Sequence, residues 1–259
     1  MGRLTGIDTV LLDLDGTLYV GSQVIPGASE AVRWLRDQRL AVRFTTNTDA
    51  VTPAALADRL AARGFEAAED ELVTPVAVAA RMFASSPGAR VLAVAADGVR
   101  QLLAATLAGT DEPATHVLVA DPSYGATYDD LDRAFRAVRA GAELVATQVN
   151  RVARRDDGEH LDTGGWVRLL EYATGREALV LGKPSPAFFT APLEALGRGP
   201  RTALVVGDDL VADIGGGHGI GAATVLVRTG KGDRSQPGAE AEPDAVIDSV
   251  ADLPRLLEG

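Results

Sequence analysis

Val10-Leu11-Leu12-Asp13-Leu14-Asp15-Gly16-Thr17 is the stretch on which the reading of the whole chain turns. Val10 to Leu12 is an apolar, partly β-branched run, the pattern of a strand buried on both faces. It leads into two carboxylates and a glycine. In open α/β sheets ligands gather at the carboxyl ends of the strands, so Asp13 and Asp15 fall where chemistry is expected. Alternation puts residues two apart on the same side until Gly16 breaks the strand. Two acids so placed repel each other, and a divalent cation offsets the repulsion. A hard, oxygen-seeking ion such as Mg2+ suits carboxylates best. The bland alternative is a strand end with two solvated acids, and the remainder of the chain decides between the two.

Gly16 to Gly21 is too glycine-rich for a plain helix and reads as a turn or flap above the strand end. A helix follows from Pro26 to about Arg39, then a strand at 41–45 that ends in Thr45-Thr46-Asn47-Thr48. Thr52-Pro53 carries a capping hydroxyl and a first-turn proline, and Gly64 is a stop. From Pro87 the pattern changes: strands at 90–95, 116–120 and 143–147 alternate with helices at 97–107, 128–140 and 161–174, without acids at the strand ends. This block reads as an inserted domain of residues 87–180 within a core made of 1–86 and 181–259. The run Ala178 to Leu181 leads into Gly182-Lys183-Pro184 and a helix at 186–196. A strand at 202–206 then ends in Gly207-Asp208-Asp209, with Asp213 just beyond. A strand at 222–227, a polar loop at 230–242, a short strand at 245–247 and a helix through Leu253, Leu256 and Leu257 complete the chain. The alternation predicts an α/β fold with parallel sheets.

At 259 residues the chain has material for two unequal domains, and 46% hydrophobic residues exclude disorder of the whole. No window approaches the roughly 20 consecutive apolar residues of a membrane span, and the first residues lack the apolar stretch of a signal peptide. A cytoplasmic protein with no membrane partner is expected. With no cysteine, any nucleophile is oxygen or nitrogen and thiolate metal sites are excluded. A net charge of -11 disfavours nucleic acid, whose phosphates need Lys and Arg to displace counterions.

Four segments stand out, each at or just past a strand end: Asp13 with Asp15, Thr46 with Asn47, Lys183, and Asp208 with Asp213. Acids, a hydroxyl, an amide and a cation together fit phosphoryl transfer, which is mostly positioning and neutralisation of charge. A carboxylate is a feasible nucleophile toward phosphorus. Taken singly, Lys183 reads as a loop lysine, Thr46 and Asp213 as helix caps, and Asp209 as an exposed, dispensable acid. His116, His160 and His218 have no mutual metal-ligand spacing, and Gly215-Gly216-Gly217 lacks the Lys-Ser/Thr ending of a phosphate loop.

Asp13-Leu14-Asp15-Gly16-Thr17-Leu18-Tyr19, Phe44-Thr45-Thr46-Asn47, Gly182-Lys183-Pro184-Ser185-Pro186 and Gly207-Asp208-Asp209 through Asp213 resemble, in order, the four motifs of haloacid dehalogenase (HAD) superfamily phosphatases. The insertion resembles the cap of the NagD-like subclass IIA. Arg43 to Asn47, Leu170 to Gly175 and Val227-Arg228-Thr229-Gly230-Lys231 are similar to the branch named for phospholysine phosphohistidine inorganic pyrophosphate phosphatase. The resemblance implies a Rossmann-like parallel-sheet core with an inserted α/β cap of the C2 type. It implies Asp13 as nucleophile and Asp15 as general acid and base. Mg2+ would be held by Asp13, the Asp15 carbonyl and Asp208, with Asp213 nearby. Thr46 and Asn47 would bind phosphate, and Lys183 would pair with nucleophile and transferred group. Thr48 departs from the second Asn common in NagD-like proteins. The implied activity is a Mg2+-dependent phosphatase of a small phosphorylated substrate. A phosphotransferase or phosphomutase on the same core and a receiver-like phosphate-binding protein are the alternatives. The sequence leaves a homodimer open, and leaves the choice among phosphate esters, P–N and P–O–P bonds open as well.

Overall fold

A computed structural model describes residues 4–109, 112–122, 125–155, 158–232 and 241–258. Part of the polar loop expected at 230–242 lies outside them. In chain order the first elements are β1 (Thr9–Asp13), a hairpin of β2 (Tyr19–Val20) and β3 (Gln23–Val24), α1 (Ala28–Asp37), β4 (Ala41–Thr45), α2 (Pro53–Ala61) and β5 (Leu72–Val73). Then come α3 (Pro75–Ala84), β6 (Val91–Val94), α4 (Asp97–Leu102), β7 (His116–Val119), α5 (Tyr128–Arg139), β8 (Glu143–Ala146), β9 (Val152–Arg155), β10 (Gly158–Leu161), α6 (Thr163–Thr174) and β11 (Leu179–Val180). The last are α7 (Pro186–Ala195), β12 (Ala203–Gly207), α8 (Gly216–Ile220), β13 (Ala223–Val227), β14 (Ala245–Ile247) and α9 (Leu253–Glu258).

The chain forms two compact units. One comprises Met1–Thr46, Ala57–Val73 and Lys183–Gly259, the other Asn47–Leu56 and Thr74–Gly182. In the first, six parallel strands lie in the order β14-β13-β12-β1-β4-β5. All five residues of β1 are buried, as the apolar run predicts. Each fully buried Leu there contributes about 1.5–3 kcal/mol. The chain leaves β1 toward β4 on one side and returns to pair β12 on the other, so β1 ends at the point where strand order reverses. That is where a doubly wound sheet opens a crevice. The register sets Asp13 opposite Thr45 on β4 and Leu12 opposite Val206 on β12.

The second unit holds a four-stranded parallel sheet, β11-β8-β7-β6. Alternation along β7 sends Leu118 to one core layer, with Val76, Phe83 and Val99, and sends Val117 to another, with Val138, Leu144 and Leu170. The unit reaches beyond the 87–180 expected from the sequence. It takes in α3, because Val76, Ala79 and Phe83 are buried against Val91, Val99 and Leu118. It also takes in Asn47–Leu56. The helix expected at 97–107 is shorter, giving way to a 3-10 turn at Ala104–Thr106. The hairpin β9–β10 was not anticipated; its strands pair antiparallel from Val152↔Leu161 to Arg155↔Gly158.

Candidate active site

The first unit gathers four of the sequence-selected side chains at the carboxyl ends of β1 and β12. Asp13, the last residue of β1, is buried, and both its oxygens are engaged. The Lys183 ammonium donates to Oδ1 at 2.5 Å and the Thr17 hydroxyl to Oδ2 at 3.1 Å. Lys183 also donates to Asp213 Oδ1 at 2.7 Å. Asp213 is fully buried in a wide helical turn at Leu210–Gly215, where its Oδ2 accepts the Asp209 N–H at 3.2 Å. Asp208 sits directly after β12, with Oδ2 accepting the Lys231 N–H at 2.6 Å. One ligand atom from each of Asp13, Asp208 and Asp213 can be chosen so that all lie within 4.8 Å of one another.

Three buried acids around one ammonium are electrostatically short of positive charge. Burial pushes the Asp213 carboxyl up to about 7, with Asp13 adding to the rise against the pull of Lys183. Burial likewise lifts Asp208 to about 6, helped by Asp213. Asp13 is raised for the same reason, with Lys183 opposing and Asp208 reinforcing. Burial alone would lower Lys183, but Asp13 and Asp213 overcome it and hold the ammonium charged well above its usual range. The donor set is hard oxygen and carries excess negative charge, which fits a divalent cation of the Mg2+ kind.

Asp15 is exposed, two residues past Asp13, and its backbone bridges to Tyr19. The β2–β3 hairpin carries Tyr19, whose ring lies 4.8 Å from the Arg63 guanidinium. Arg63 Nη2 also reaches the Gly21 carbonyl at 3.4 Å, fixing the hairpin where the sequence places a flap. Burial, then Asp15 and Asp13, push the Tyr19 hydroxyl up to about 12. Thr46 is buried in the same unit, its N–H bonded to the Val73 carbonyl at 3.1 Å. Asn47, one peptide bond on, groups with the second unit.

Two expectations are corrected. Asp209 is not a free surface acid: it caps the following turn by accepting from the Val211 and Ala212 N–H groups and pairs with Lys231 at 2.8 Å. The capping role considered for Asp213 thus belongs to Asp209, and Asp213 turns inward to Lys183. Gly215-Gly216-Gly217 is a packing feature, since a Cβ at Gly216 would lie 2.2 Å from the Phe189 ring.

Sequence reasoning missed Asp49. Buried in the second unit, its Oδ2 accepts from Thr147 Oγ1 at 2.6 Å, Thr163 Oγ1 at 2.8 Å and the Asp121 N–H at 3.1 Å. Burial pushes it up to about 6 against those hydroxyls. Its only sequence signal is an acid in a strand-end loop.

The family model for haloacid dehalogenase-like hydrolases matches residues 10–106, and a second HAD-hydrolase-like model matches 180–253. The chain belongs to the haloacid dehalogenase-like hydrolases, as a phosphatase of the NagD-like class. It is 36% identical over 264 residues to the phospholysine phosphohistidine inorganic pyrophosphate phosphatase of Bos taurus, covering 98% of this chain and 96% of that one. Among solved structures, a p-nitrophenyl phosphatase from Archaeoglobus fulgidus superposes with a TM-score of 0.89 at 28% identity, covering 96% and 99% of the two chains. A glycerol phosphate phosphatase from Mycobacterium tuberculosis in complex with magnesium gives 0.84 at 30%, covering 98% and 79%. No helix among the described residues is long and apolar enough to cross a membrane.

Proposed function

We propose that this chain is a Mg2+-dependent phosphatase of small phosphorylated molecules that works through a phosphoryl group carried on Asp13. The observation that carries the reading is the Lys183 ammonium bridging Asp13 Oδ1 and Asp213 Oδ1, with Asp208 in the same cluster of acids. Asp13, Asp208 and the Asp15 carbonyl would hold Mg2+, with Asp213 beside them, and the charge it supplies offsets repulsion between Asp13 and a phosphate dianion. Lys183 and Thr17 fix the plane of the Asp13 carboxylate, so that nucleophile and phosphorus meet in one orientation. Asp13 attacks phosphorus, the bond to the leaving oxygen (or nitrogen, in a phosphoamino compound) breaks, and Asp15 protonates that leaving atom. Asp15 then takes a proton from water, whose oxygen attacks phosphorus and releases Asp13. Thr46 and Asn47 bind phosphate oxygens. Phosphoamino compounds, pyrophosphate and glycerol phosphate, which the names of relatives mention, are the substrates we would try first.

The test is a phosphate-release screen over these compounds with and without Mg2+, using Asp13→Asn as the blank. Turnover should vanish with chelator and return with Mg2+. Full turnover in excess chelator, or in Asp13→Asn, would sink the reading. Asp15→Asn should lose about 10²–10⁴-fold in turnover. Given a nitrophenyl ester, whose leaving group needs no proton, Asp15→Asn should release a burst of phenol and gain mass on the peptide holding Asp13.

A further inference from the structure

The segment after β13, Thr229-Gly230-Lys231, takes no part in the chemistry above, yet it touches Asp208, one of the groups proposed to hold the cation, and Gly16, the residue after Asp15. Thr229 Oγ1 donates to the Gly16 carbonyl at 2.5 Å, and the Lys231 N–H donates to Asp208 Oδ2 at 2.6 Å. Gly16 is gripped from its other side, since its N–H donates to the Tyr19 carbonyl at 2.7 Å. The two glycines close the packing. A Cβ at Gly230 would lie 2.2 Å from Asp208 Oδ2 and 2.6 Å from Gly16 Cα, and a Cβ at Gly16 would lie 2.2 Å from the same Asp208 oxygen. Both glycines adopt positive φ, 95° at Gly16 and 62° at Gly230, which side-chain-bearing residues rarely take. The Asp208 carboxylate is therefore wedged between two bare Cα atoms with one oxygen already hydrogen-bonded.

We propose that Thr229, Gly230 and the Lys231 N–H are positioning groups for the cation, setting the Asp208 carboxylate in its ligating orientation before an ion arrives, Gly230 and the Lys231 N–H directly and Thr229 by holding Gly16 against it. The proposal rests on the cation reading of the acid cluster. The bond to Asp208 is charge-assisted and confines its rotamer. The Gly16 N–H bond to Tyr19 fixes the plane of the Asp15–Gly16 peptide, and the Thr229 bond holds the next peptide, so that together they pin the Gly16 Cα packed against Asp208. Ordering ligands in advance removes a cost that binding would otherwise carry. Partners that orient metal ligands are typically worth 10–100-fold in affinity. None of these groups touches the substrate in the proposed scheme, so they act through Asp208 and the Gly16 packed against it.

The test is Mg2+ titration of the metal-free full chain by calorimetry, with Mn2+ followed by electron paramagnetic resonance as a second readout. Thr229→Val, which keeps the shape and removes the donor, should weaken binding about tenfold or more, and Thr229→Ser should bind within about threefold of the parent. Gly230→Ala, whose methyl displaces the Asp208 carboxylate, should weaken it comparably and serves if Thr229→Val does not fold. Parental affinity in both Thr229→Val and Gly230→Ala would overturn the proposal, as would equal weakening in Val and Ser variants at position 229. A parent chain that binds neither ion would instead overturn the cation reading itself.

Discussion

An ammonium set between two carboxylates at a buried strand end is held charged by them against the cost of burial, and each acid is drawn toward its charged form by the ammonium. Lys183, Asp13 and Asp213 are in that mutual relation. Lys183→Met should therefore do two measurable things. Turnover should fall about 10²–10³-fold, the usual loss when one preorganised donor is removed from developing charge. The metal-free protein should also lose about 3–5 kcal/mol at pH 8, where the orphaned acids must stay charged in the interior or take up protons from a dilute supply, and less at pH 5, where protonation is easy. Equal losses at both pH values would deny the electrostatic account. Asp49, in the second unit, provides a second titration. Its folded pKa, about 6, lies above the ordinary 3.8, so between those values the folded state binds more protons than the unfolded. Its contribution is then present in full below pH 4 and is lost as pH rises through 6, about 3 kcal/mol in all. Asp49→Asn should flatten that limb of the stability profile and raise the melting midpoint at pH 8. Asp13, Lys183 and Asp208 are legible in the sequence because each stands at or just past the end of an apolar run. Asp49 is not, since its partners Thr147 and Thr163 lie 98 and 114 positions away.

At the scale of elements, apolar runs located the strands, buried or half-buried, and what was lost was a helix apolar on more than one face. β4 and β14 fall where the sequence puts them, at 41–45 and 245–247. Helix α3, Pro-Val-Ala-Val-Ala-Ala-Arg-Met-Phe-Ala, has no clean polar stripe, and only its Thr74 cap and first-turn proline announce it. The grip of Thr229-Gly230-Lys231 on Gly16 and Asp208 was equally invisible, because apart from the Thr229 hydroxyl it works through backbone groups and absent side chains. Helix α8 lets competing effects be weighed directly. Alanine in place of a helical glycine gains about 1 kcal/mol in propensity. At Gly219 a Cβ meets nothing within 4 Å, so Gly219→Ala should be neutral or stabilising. At Gly216 the same methyl lies 2.2 Å from the Phe189 ring, and overpacking of about 1–3 kcal/mol outweighs the gain. Denaturant midpoints of the two variants should move in opposite directions. A stabilised Gly216→Ala would show that the Phe189 side chain moves aside at no cost.

For the molecule as a whole, alternation of strand and helix is enough to foresee two parallel sheets, but not where the division between units falls. Strand and helix patterns report which face of an element is buried, not which sheet it is buried against, so α3 and Asn47–Leu56 could be allotted only from coordinates. The division has a thermodynamic consequence. Asp13, Asp208, Asp213 and the Thr229-Gly230-Lys231 segment all belong to the unit built on β1 and β12. A cation at a hundred times its dissociation constant stabilises the state that binds it by about 2.7 kcal/mol, close to a hundredfold in hydrogen-exchange protection for amides that open with that state. Mg2+ should therefore protect β1, β12 and β13 by about that factor, while amides of β6, β7 and β8 should gain less. Exchange followed by mass spectrometry on the intact chain, with and without Mg2+, reads both sets in one experiment. Equal protection in both sets would mean that the two units open as one cooperative body. Protection confined to β6, β7 and β8, or none anywhere, would remove the cation from the acid cluster and with it the role proposed for Asp208.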